Sequence, residues 1–195
     1  MLSVDEILAQ GLKLSPSTGY EDTEFVKPLT ALIGALNTEA NLNTAGVAFH
    51  RSRLQGLLQN RKALEDWTEK HPEIAEETLV APIVIVGLPR TGTTLLHRTI
   101  ATDTSLMAPL WYEVRQPAPI DSNFVSDDAR IAIAKAEVDA MLAAMPGLAA
   151  IHPIDAVAPD EEIMLLEHSF TSTVPECYAC IPEYGEALYA QDPSA

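Results

Sequence analysis

The chain has 195 residues, 47% of them hydrophobic, with 28 acids against 12 lysines and arginines and a formal net charge of −16. That is the length and composition of one domain with a sizeable core, and the acidic balance excludes a nucleic-acid binder, which needs a basic face. No run approaches the ~18 apolar residues of a membrane-spanning helix, and Met1-Leu2-Ser3-Val4-Asp5-Glu6 lacks the basic-then-apolar order of a signal peptide, so a cytoplasmic protein is expected.

Residues 1–78 read as helices. Ser3-Val4-Asp5-Glu6 has capping-box spacing and opens a helix to about Lys13, followed by a loop at Ser15-Pro16-Ser17-Thr18-Gly19. A second helix is predicted from about Thr23 to Leu36, with Pro28 in its first turns. Thr38-Glu39 is predicted to start a third, because Leu42, Ala45, Phe49, Leu57 and Leu58 recur at helical intervals. A further helix over Arg61 to Lys70, carrying Trp67, stops at His71-Pro72. This region is expected to be a cap or packing lobe, with a homo-oligomer surface as the alternative.

The apolar run Pro82-Ile83-Val84-Ile85-Val86 has the pattern of a strand buried on both faces. A loop from Gly87 to Gly92 follows, and then a helix over Leu95 to Ala101. Strand, glycine-bounded loop and helix N-terminus together make an anion cradle, in which loop amides converge on a phosphate and the positive helix end favours its charge. The ATPase and GTPase form of such a loop places Lys directly after the second glycine. Here Thr93 holds that place, Arg90 supplies the cation from inside the loop, and Thr93 and Thr94 offer hydroxyls. That arrangement suits a phosphate-sulfate ester. No Asp or Glu falls between Thr78 and Thr102, a window free of acids around the anion site.

Beyond the loop helix, Leu106 to Val114 is predicted to hold a short strand, and Gln116-Pro117-Ala118-Pro119 is a rigid connector. Asp127-Asp128 opens an amphipathic helix with Ile131, Val138, Met141, Leu142 and Met145, ended by Pro146-Gly147. Pro159-Asp160-Glu161-Glu162 reads as a helix start running to about Ser169, with acids placed where the dipole favours them. Val174-Pro175 and Ile181-Pro182 divide the last region into two short helices. Cys177-Tyr178-Ala179-Cys180 has the spacing of a redox pair or half a zinc site; with no second pair, the two thiols are expected to pack as small apolar residues on one helical face.

Pro89-Arg90-Thr91-Gly92-Thr93-Thr94 resembles the 5′-phosphosulfate loop of sulfotransferases. Arg90 in place of Lys is similar to the form found in tyrosylprotein sulfotransferases and a large bacterial branch. The likeness to that branch extends to Leu36 through Asn43, to Arg61 through Pro72 and to Ile151-His152-Pro153 through Phe170. It implies an α/β fold: a parallel sheet of the phosphate-loop type flanked by helices, after a helical N-terminal region at 1–78, with 79–195 the first part of the sulfotransferase domain. Only 82–86 reads as a buried strand, so the sheet is expected to be incomplete. Members of the family are about twice this length and hold the nucleotide's 3′-phosphate through their later half, which implies an N-terminal portion of a longer enzyme, inactive alone.

The resemblance implies phosphoadenosine phosphosulfate as co-substrate and a small-molecule or lipid hydroxyl as acceptor, with no metal. Pro89, Arg90, Thr91, Gly92, Thr93 and Thr94 would bind the co-substrate, and Arg90 would neutralise the leaving oxygen. Glu113, in Leu110-Trp111-Tyr112-Glu113, is the first candidate for the base that takes the acceptor's proton. His152 is the second, oriented by Asp155 or Glu162, and Glu162 is a candidate for the acceptor site. Two alternatives stand: a nucleotide kinase or ATPase with a degenerate loop, and a non-catalytic helical interaction module.

Overall fold

A computed structural model describes residues 1–14, 19–78, 80–88, 91–120 and 126–191. Along the chain run α1 (Val4–Gly11), α2 (Val26–Thr38), α3 (Thr44–Lys70), α4 (Thr93–Ile100), α5 (Trp111–Arg115), α6 (Asp128–Ala144), α7 (Leu148–Ile151), α8 (Ile163–Leu166) and α9 (Pro182–Tyr189). Contacts divide the chain into two units, Met1–Asp66 together with Ile163–Ala195, and Trp67–Glu162. No helix among the described residues is long and apolar enough to cross a membrane.

In the first unit the helices form where sequence periodicity places them, with shifted ends. Ser3 caps α1, its hydroxyl accepting the Glu6 N–H at 3.4 Å. Pro28 falls in the first turn of α2, where its missing N–H costs no intrahelical bond. Thr38-Glu39 closes α2 rather than opening a new helix, and Asn41 turns the chain at φ 48°. The cap of α3 is Asn43, whose side-chain oxygen accepts the Gly46 N–H at 2.9 Å. No break occurs near Arg61, so the two helices predicted over 38–70 are one of 27 residues. Leu29, Leu32, Leu36, Leu54 and Leu58 from α2 and α3 pack with Ile7, Phe25, Phe170, Ile181 and Tyr184 into one hydrophobic core. Asn37 ties the N-terminus to α2, accepting the Leu2 N–H and donating to the Leu2 carbonyl, both at 2.9 Å.

In the second unit α5 packs on α6, with Trp111, Tyr112, Val114, Ala134 and Val138 buried. Arg115 on α5 makes a forked pair with Glu137 on α6, at 2.6 to 3.2 Å. The Trp67 indole N–H donates to the Pro119 carbonyl at 3.0 Å. The short strand expected within 106–114 is instead α5, preceded at Leu110 by a single antiparallel bridge to Pro159. Pro159 through Glu162 is therefore not a helix start; the helix begins at Ile163 and lasts one turn before a 3-10 segment, Glu167–Ser169.

The expected parallel sheet is corrected. Among the described residues the chain contains no β-ladder, only the isolated Leu110–Pro159 bridge. Residues 82–88 are free of helix and turn, but no described segment pairs with them. Ile83, Val84, Val86 and Leu88 are 64%, 67%, 89% and 76% exposed, the reverse of a strand buried on both faces. The reason is that apolar, β-branched composition makes a segment suitable for a sheet without supplying partners, and a lone strand leaves its backbone groups to water.

Two glycines in the first unit yield opposite expectations. A methyl group on Gly11 would strike the Tyr20 hydroxyl and meet the Leu58 Cβ at 2.6 Å, whereas one on Gly34, exposed on α2, meets nothing within 4 Å. In chemical denaturation, Gly11→Ala is expected to cost about 1–3 kcal/mol, and Gly34→Ala to add about 0.5–1 kcal/mol.

His50, buried on α3, has its pKa lowered from the ordinary 6.5, first by burial and then by the charge of Arg53. A histidine that resists protonation only when folded takes up a proton on unfolding once the pH falls below 6.5, so its contribution to stability is present above that value and lost as the pH falls towards the lower folded one. Urea unfolding at about pH 7.5 and about pH 5.5 should show stability falling on acidification, with a smaller fall in His50→Gln.

Candidate functional site

The glycine-bounded loop is shaped by its own residues. Gly92 lies at φ 91°, a left-handed conformation that favours glycine, and opens α4 without a side-chain cap. The first-turn amides of α4 are therefore left for a ligand or water. Gly87 has no room for a side chain, since a Cβ there would meet Thr93 Cγ2 at 2.8 Å and Thr91 Oγ1 at 3.1 Å. The Thr91 hydroxyl donates to the Leu88 carbonyl at 2.6 Å. Gly87 thus lies against Thr91 and Thr93 at the start of α4. Thr93 and Thr94 are half-buried there, and Thr91 and Gly92 are exposed. Pro89 and Arg90, the other two expected loop ligands, lie outside the described residues.

A segment that the sequence reading assigned to helix capping passes beside α4. The Arg98 guanidinium donates to the Pro153 carbonyl at 2.7 Å and the Pro159 carbonyl at 3.3 Å, and stands 3.8 Å from Oδ2 of the buried Asp160. Asp160 Oδ1 accepts the Glu161 N–H at 2.8 Å. This anchoring brings Glu161 to the loop helix, where the Thr94 hydroxyl donates to Glu161 Oε1 at 3.4 Å. Glu161 is the residue that sequence reasoning missed. The window without acids around the loop holds in sequence but not in space, and the signal was Arg98, a cation on α4 with no acid within four residues of it along the chain.

Glu113 and His152 lie in the same unit in different circumstances. Glu113 is half-buried and caps its own helix: Oε2 accepts the Leu110 N–H at 2.8 Å, and Oε1 lies 3.3 Å from the Tyr112 hydroxyl. That hydroxyl is also 3.2 Å from Asp127, and burial together with the Glu113 and Asp127 charges pushes its pKa up to about 12. It stays a proton donor to these carboxylates well above neutrality. His152 ends α7, its N–H donating to the Leu148 carbonyl at 2.8 Å, one residue before the carbonyl that Arg98 holds. Of the groups expected to orient it, Asp155 accepts the Val157 N–H at 2.9 Å, and Glu162 is exposed.

Backbone bonds join these parts. The Trp111 N–H donates to the Ala158 carbonyl and the Asp160 N–H to the Pro109 carbonyl, both at 3.0 Å. The start of α5, the 153–161 segment and the loop helix are thus linked in sequence through Leu110, Asp160, Arg98 and Thr94.

A family model described as the sulfotransferase family matches residues 82–195, more than half of the chain. Among solved structures, the chain is similar to sulfotransferase STF1 from Mycobacterium tuberculosis H37Rv, at 28% identity and a TM-score of 0.81, over 98% of this chain and 53% of that one. It shares a fold with sulfotransferase STF9 from Mycobacterium avium, at 18% identity and a TM-score of 0.81, over 98% of this chain and 50% of that one. The chain therefore spans about half the length of these relatives. No match was found among curated proteins.

Arg98→Met would leave the buried Asp160 carboxylate without this cation and release both proline carbonyls. Hydrogen exchange at the Trp111 and Asp160 amides is expected to accelerate about 10- to 100-fold, as the loss of a charged hydrogen bond of roughly 1.5–3 kcal/mol implies, with the α2 and α3 amides unchanged.

Proposed function

The chain belongs to the sulfotransferase family, and we propose that its 87–94 loop binds the 5′ end of phosphoadenosine phosphosulfate for sulfuryl transfer to a hydroxyl acceptor, a small molecule or a lipid. The observation that supports this reading is the start of α4, which Gly92 opens with no side-chain cap and where Thr93 and Thr94 are half-buried. The helix end and amides bind the phosphate. Arg90 neutralises charge growing on the bridging oxygen as the sulfur–oxygen bond breaks. Residues 79–195 would form the first part of the transferase domain and 1–78 a helical lobe, which is also the candidate surface for self-association.

A side-chain base takes the acceptor's proton in this reading. Glu161 is favoured because Thr94 donates to it at the start of the loop helix. The Glu113 carboxylate is engaged by the Leu110 N–H and lies beside the Tyr112 hydroxyl, so it serves as base only by exchanging those partners. His152 is the third candidate.

Titration calorimetry tests the nucleotide. Adenosine bisphosphate, the product left by the donor, is expected to bind more tightly than magnesium-ATP. Arg90→Ala should weaken the bisphosphate by about 10- to 100-fold, the equivalent of a charge-assisted bond of roughly 1.5–3 kcal/mol. Tighter magnesium-ATP would indicate a kinase or ATPase, and binding of neither nucleotide an interaction module. In a transfer assay on an enzyme of the relatives' full length that carries this chain, the base is the residue among Glu161→Gln, Glu113→Gln and His152→Ala whose replacement lowers turnover about 10²- to 10⁴-fold with bisphosphate affinity kept.

A further inference from the structure

Cys177 and Cys180 are free thiols and both are exposed, so neither has the apolar packing role that their spacing predicts. The chain around them explains their exposure. Val174–Cys177 is a 3-10 turn, and the Pro175 carbonyl accepts the N–H groups of Tyr178 at 3.1 Å and Ala179 at 3.2 Å, carrying the helical turn past the first cysteine. Val174 and Pro175 are buried before the pair and Ile181 after it. Between the thiols, Ala179 packs on the hydrophobic core. The Tyr178 ring lies 5.5 Å from that of Phe49 and has the Arg53 guanidinium 4.1 Å above its centroid. With both inner residues held to the protein, both cysteines are left to solvent.

The 3-10 turn ends at Cys177, and Cys180 follows it across a turn at 178 and a bend at 179. Three residues of chain span at most about 11 Å, and a disulfide needs about 4.4–6.8 Å between Cα atoms, so a rearrangement confined to this exposed turn is enough to bring the sulfurs together. Among the described residues no group of three or more His, Cys, Asp and Glu is arranged to hold a metal ion, so thiol chemistry, not metal ligation, fits the pair.

We propose that Cys177 and Cys180 form a reversible dithiol–disulfide site that exchanges with small disulfides such as oxidised glutathione. One cysteine thiolate attacks a glutathione sulfur, forming a mixed disulfide and expelling one glutathione thiolate. The second cysteine attacks the protein-side sulfur of that bond, closing the 177–180 disulfide and expelling the other. Two protein thiols lose two electrons and two protons, and one oxidised glutathione becomes two reduced ones.

Intact mass after incubation with excess oxidised glutathione, followed by acid quenching, tests this. The unaltered chain is expected to lose two hydrogens and carry no glutathione, a change that dithiothreitol reverses. Cys177→Ser and Cys180→Ser, lacking the resolving thiol, should each retain one glutathione. Glutathione retained on the unaltered chain, thiols left unreacted, or disulfide-linked dimers in place of the internal bond would each overturn the proposal.

Discussion

From α4, the Arg98 guanidinium reaches two proline carbonyls and the edge of a buried carboxylate, and the geometry around the loop depends on that grip. The 153–161 segment has no ladder or helix of its own, so its backbone acceptors need donors from elsewhere. Asp160, buried inside the segment, needs a cation nearby. With Arg98 in place, Pro159 pairs with Leu110, α5 begins where its backbone meets Ala158, and Glu161 stands beside Thr94. Residues far apart in sequence thus share one neighbourhood because one side chain satisfies several demands at once.

The loop and the apolar run that feeds it rest on different physics. Gly87 meets Thr91 and Thr93 within a few residues along the chain, so these contacts are local. Residues 82–88 require a neighbour at the spacing of a sheet, and local sequence cannot provide one. The uncapped start of α4 therefore follows a run of exposed apolar side chains that would normally be covered. A chain spanning about half the length of its relatives meets its local requirements while this long-range one stays open.

The same division explains what the sequence disclosed. Helices were legible because periodicity, Ser3 as a cap and Pro-Gly stops act over one or two turns. The boundary at 38–44 was misplaced because Thr38 ends α2, its hydroxyl donating to the Gly34 carbonyl, while Asn43 accepts the Gly46 N–H at the start of α3. The start of α4 was legible from Gly92 and the hydroxyl residues that follow it. Glu161 was not, since its position depends on a guanidinium more than sixty residues away. Glu113 stood out as a carboxylate in an apolar stretch, yet its nearest donor is the backbone of its own helix, a role that spacing alone does not separate from chemistry.

The hydrophobic core of the first unit joins Ile7, Leu36 and Leu58 to Phe170, Ile181 and Tyr184, with the whole of Trp67–Glu162 lying between them along the chain. On the ribosome, α1 to α3 emerge with an apolar face whose covering residues have not yet been made. At about 5–20 residues per second, that face waits several seconds for Phe170 and those that follow. The order of synthesis thus leaves the apolar face of α1 to α3 open long before the chain has a finished core to bury it.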